Sequence, residues 1–175
     1  MYKRQILEAL EIFFNNKIVV CEKEDLSINH SQGDDLIEIT CVFSPILESI
    51  SIDASSETTL KKEFLLNTDG LLEIKKVFKA STAKPKPSTF IVCNHPSDEN
   101  FNDLLTLKIK DLKQRAKDLN IDESKYEARS SVSLRQAIWK ENEKLNLVTT
   151  DAVSYTHLTL PTIAAECRSR WWRDN

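Results

Sequence analysis

Few residues in this chain are arranged for chemistry. Glu73-Ile74-Lys75 follows Leu71-Leu72 and puts a carboxylate and an amine two positions apart, on one face of a strand. Asp53 and Asp69 are the further carboxylates that could stand beside this pair. Asp69 falls in a turn, however, and a Glu-x-Lys pair is also an ordinary pair of solvated side chains. Asn94-His95-Pro96 ends the apolar run from Phe90, and His95 acts as a base only beside an orienting carboxylate. His30 sits in a polar loop with no partner at metal-ligand spacing. Cys21, Cys41 and Cys93 are scattered without a CxxC spacing, so they predict neither a zinc site nor a disulfide framework. They read as buried thiols of a reducing compartment, which favours the cytoplasm. The expectation is no catalytic residue, no metal and no cofactor, and the balance points away from an enzyme.

Composition sets the frame for these residues. The chain has 175 residues, 41% hydrophobic and 29% charged, the balance of a globular protein. No apolar run reaches the length of a membrane span, so no membrane partner is expected. There are only 2 glycines, Gly33 and Gly70, which argues against a Gly-rich phosphate loop.

The ends read differently from the middle. Val153–Thr162, VSYTHLTLPT, resembles a transposase sequencing adapter translated in one frame, and the later CRSRW resembles its continuation. MYKRQ at residues 1–5 resembles the opposite adapter end. Residues 1–5 and 153–175 are therefore expected to be adapter-derived, the latter without fixed structure, around a metagenomic fragment of a larger protein. Setting them aside changes the net charge from −3 to −6 and leaves Trp139 as the one tryptophan. Charge is uneven within the remainder. Residues 6–60 carry net −9, residues 61–86 net +4 and residues 87–152 net −1, which excludes a uniformly basic nucleic-acid binder.

Periodicity predicts the elements. Ile6–Asn16 is an amphipathic helix with Leu7, Leu10 and Phe14 on one face. Lys17–Glu22, Asp35–Phe43 and Ser49–Asp53 have strand patterns, with a turn at Ser31–Asp34. Leu60–Leu66 and Leu71–Phe78 flank Asn67-Thr68-Asp69-Gly70, the signature of a hairpin turn. Lys84–Pro87 breaks regular structure, and Phe90–Cys93 adds a short strand. Leu105, Ile109, Leu112, Ala116 and Leu119 form a helical stripe, and Leu134, Ala137, Ile138 and Leu145 continue it on a second helix capped by Ser131 or Ser133. The predicted fold class is α+β: a helix with an antiparallel sheet over residues 6–96, then a helix-loop-helix module over 97–152.

Three stretches resemble known families. Leu107–Ile121 followed by Ser131–Ile138 resembles the SAP domain, or the related Rho N-terminal helix-extended-loop-helix module. Ile109 and Leu112 fall on that family's aliphatic positions, and Asn120 stands where it usually has Gly. The family's loop residues are replaced by Glu123, Tyr126 and Glu127. The resemblance implies contact with DNA or RNA through Lys108, Lys110, Lys113, Lys117, Lys125, Arg129 and Arg135, which could neutralise phosphates without reading sequence. Glu73-Ile74-Lys75 resembles the metal-binding strand of restriction-type nucleases, which implies a divalent metal held by Glu73 with Asp53 or Asp69 and an attacking water positioned by Lys75. Phe90–Ser97 resembles the start of the glycerolipid acyltransferase motif, but Asn100 occupies the position of its aspartate, so that reading is rejected. The leading expectation is a non-catalytic nucleic-acid-contacting or tethering module. A structural or protein-interaction fragment comes second, and a Mg²⁺-dependent nuclease third.

Overall fold

The computed structural model describes residues 2–27, 33, 35–44, 50–53, 56–141 and 145–152. Residues 153–175, His30 and most of the Ser31–Asp34 turn lie outside the described residues. Among those described, the fold is α+β, with three helices, an antiparallel four-stranded sheet and a separate two-stranded hairpin. The helices are α1 (Tyr2–Phe14), α2 (Ile109–Asp118) and α3 (Ser131–Glu141). The strands are β1 (Leu36–Phe43), β2 (Ile50–Asp53), β3 (Ser56–Thr58), β4 (Leu72–Lys79), β5 (Pro87–Pro96) and β6 (Leu147–Ala152). The larger sheet runs β1-β4-β5-β6, and β2 pairs with β3. No helix among the described residues is long and apolar enough to cross a membrane.

Two compact units interleave along the chain. One draws on Met1–Cys41 and Lys75–Phe90, the other on Val42–Ile74 and Ile91–Val153. In the first, Ile12, Cys21 and Phe78 form the core, with Val19, Ile37 and Ile39 against it. α1 stops at Asn16, whose φ of 48° places it in the left-handed region and whose amide bonds back to the Glu11 carbonyl. The Asn16 side chain then accepts from the Cys21 amide at 3.0 Å. That bond curls residues 17–21 into a turn, so the strand expected over Lys17–Glu22 does not form, and a 3₁₀ turn at Lys23–Asp25 follows. Burial, assisted by the Asp25 carboxylate, pushes the Cys21 thiol up to about 11 and keeps it protonated. Lys76 donates to the Phe13 carbonyl and lies 5.1 Å from the Phe13 ring centroid, a cation–π contact. Its ammonium is held below its usual range, first by burial.

In the second unit, β5 and β6 pair antiparallel, with Cys93 opposite Thr150 and His95 opposite Val148. β6 was not expected from the sequence. The Asn67–Gly70 turn forms as its residues predict. Gly70 takes φ +73°, and the Asn67 side chain accepts from the Asp69 and Leu71 amides. Leu60–Leu66 is not the strand expected on its near side. It coils into turns closed by Leu65 N–H to the Leu60 carbonyl at 2.9 Å. α2 and α3 pack on each other through the central part of the predicted stripes, with Leu112, Ala116, Leu134 and Ile138 fully buried and Ile109 at the rim, whereas Leu105 and Leu119 lie outside α2 and Leu145 outside α3. Asn120 ends α2 at φ 56°, with the Ile121 amide bonded back to Ala116. The cap of α3 is Ser130, which accepts from the Ser133 amide at 3.2 Å, instead of Ser131 or Ser133.

Substitutions at two positions test this packing by chemical denaturation. Leu112→Ala should cost about 2–5 kcal/mol, because it opens a cavity in a fully buried site. Asn120→Gly should be neutral or mildly stabilising, whereas Asn120→Ala should cost about 1 kcal/mol for a left-handed residue.

Candidate functional site

The most constrained side chains of the second unit gather around a buried ion pair. Arg135 of α3 donates from Nε to Glu63 Oε2 at 2.8 Å, across 72 residues of sequence. Their side chains are 3% and 0% exposed, so neither charge reaches water. The other carboxylate oxygen, Oε1, accepts from the Thr58 hydroxyl at 2.9 Å, and Gln136 donates to that hydroxyl at 3.3 Å. A charge pair buried this deeply is tolerated only when further hydrogen bonds satisfy the carboxylate, which Thr58 supplies.

Phe64 follows Glu63 and is bent to φ 55°, a conformation that a bulky residue adopts only under constraint. Its carbonyl accepts from His95 Nδ1 at 3.2 Å, which fixes the proton of the neutral imidazole on that nitrogen. The Phe64 ring meets Trp139 edge-on at 5.2 Å, and the His95 ring meets the same indole at 6.0 Å. Trp139 Nε1 donates to the Phe101 carbonyl at 3.2 Å. Burial pushes the His95 pKa below 6.5, although the Phe64 and Asn102 carbonyls and the Glu63 charge favour the proton. A cavity of about 360 Å³ lies beside this cluster, lined by His95, Pro96, Ser97, Asn102 and Val148–Asp151. Its only charged lining residue is acidic, and neither glycine of the chain lines it.

The predicted phosphate-contact residues divide into several environments. Lys108, Lys110, Lys117 and Arg129 are exposed, and Lys113 is half-buried. Lys125 is held by both carboxylate oxygens of Glu141 at 2.9 Å. Arg135 is a core residue bound to Glu63, so it does not join a surface patch. The Glu73 carboxylate accepts from the Asn67 amide of the hairpin turn at 2.9 Å. Asp53's side chain lies outside the description, and among the described residues no group of three or more His, Cys, Asp or Glu could hold a metal. Sequence reasoning missed Glu63, whose role depends on a partner too distant in the chain to leave a local pattern.

A family model described as an AAA ATPase domain matches residues 3–153. No curated protein and no solved structure matches the chain. The family match overturns two of the sequence expectations: the SAP-like, non-catalytic nucleic-acid tether and the restriction-type nuclease. The geometry gives the physical reasons. The basic series was expected to contact phosphates, but one member is buried in an ion pair and another is engaged by Glu141. The Glu-x-Lys carboxylate serves a turn.

Two measurements probe the cluster. Glu63→Leu or Arg135→Met alone should cost about 3–5 kcal/mol by leaving a buried charge unmatched, and the double substitution should cost far less than the sum. The unfolded state binds more protons at His95 than the folded state wherever pH lies between the lowered folded pKa and 6.5. Its contribution to stability is therefore full above pH 6.5 and is lost as the pH falls below that value. Denaturation at pH 7.5 and 5.5 should show a larger acid loss for the parent chain than for His95→Gln. A His95 NMR titration midpoint at or above 6.5 would contradict this.

Proposed function

We propose an ATP-dependent role of the AAA type, because this chain belongs to the AAA ATPase domain family. The observation that carries the reading is the extent of the match, residues 3–153, which takes in both compact units. ATP supplies phosphoanhydride hydrolysis when bound, and binding requires a cradle of backbone N–H groups and a cation for its phosphates.

The residues of this chain do not fit that cradle. Gly70 is committed to the hairpin turn at φ +73° and is followed by Leu71-Leu72. Gly33 is followed by Asp34-Asp35, whose charges repel phosphate. Neither glycine belongs to a G-x-x-x-x-G-K-[ST] stretch. The cavity beside His95 has no lysine or arginine in its lining to pair with a polyphosphate. Residues 3–153 act as part of the ATPase domain, and a phosphate-binding loop would have to come from sequence outside them. Within that part, the Glu63–Arg135 pair holds the residue 58–66 segment to α3, and His95 locks the bent Phe64 in place. A cytoplasmic setting, where ATP is supplied, accompanies this reading.

The test uses the natural open reading frame around these residues, expressed whole. It should hydrolyse ATP, and replacing the lysine of its phosphate loop with alanine should abolish turnover. A whole protein that neither binds nor hydrolyses ATP would refute the proposal. Tight ATP binding by the 175-residue chain would refute the assignment of the loop to sequence outside it.

A further inference from the structure

We draw no further inference here: the strongest candidate, the exposed aliphatic stripe of α1 formed by Ile6, Leu7 and Leu10, carries none because nothing in the structure shows what covers it.

Discussion

The second unit depends on one buried charge pair. Glu63 and Arg135 are both removed from water, and each is stable only because the other is in place. Thr58 and Gln136 extend the pair into a small polar network, so β3, the turns at residues 60–66 and α3 are fixed together. The bend at Phe64 follows from that anchor. With Glu63 held inward, the next residue enters the left-handed region and presents its carbonyl to His95 on β5. Trp139, one turn along α3 from Arg135, fills the space between the two rings. The neutral state of His95 belongs to the same arrangement, because a second positive charge in this interior would be poorly solvated.

The first unit is organised by packing without a buried ion pair of this kind among its described residues. Ile12, Cys21 and Phe78 supply its core, and Lys76 spans the end of α1 through Phe13. Burial raises the pKa of its Cys21 thiol to about 11, so that thiol stays protonated at neutral pH.

Features with a local cause were legible in the sequence. The stripe of α2 needs only its 3.6-residue period, and Leu112 and Ala116 are buried as it predicts. Asn120 at a helix end and Asn67–Gly70 between apolar arms carry their conformations in their own side chains. Features with a distant cause were not. Leu60–Leu66 has the apolar content of a strand, but Glu63 at its centre answers to Arg135, 72 residues later, and coils the segment. Ile18-Val19-Val20 has strand composition, yet the Asn16 side chain captures the Cys21 amide and turns the chain first. β6 gains its order from pairing with β5, which its own six residues do not announce. The functional class was hidden for a related reason. Its usual local signature is a glycine-rich phosphate loop, and with only two glycines to read, the lysines of α2 drew attention to nucleic acid instead.

We propose that residues 3–153 belong to the body of an AAA ATPase domain and hold no phosphate cradle themselves. The most direct measurement is the thermal unfolding midpoint with and without Mg²⁺-ATP, for the 175-residue chain and for the whole natural protein, since a ligand stabilises only the folded state that binds it. The midpoint should rise with ATP concentration for the whole protein and stay unchanged for the chain. A shift for the chain alone, or none for the whole protein, would contradict it.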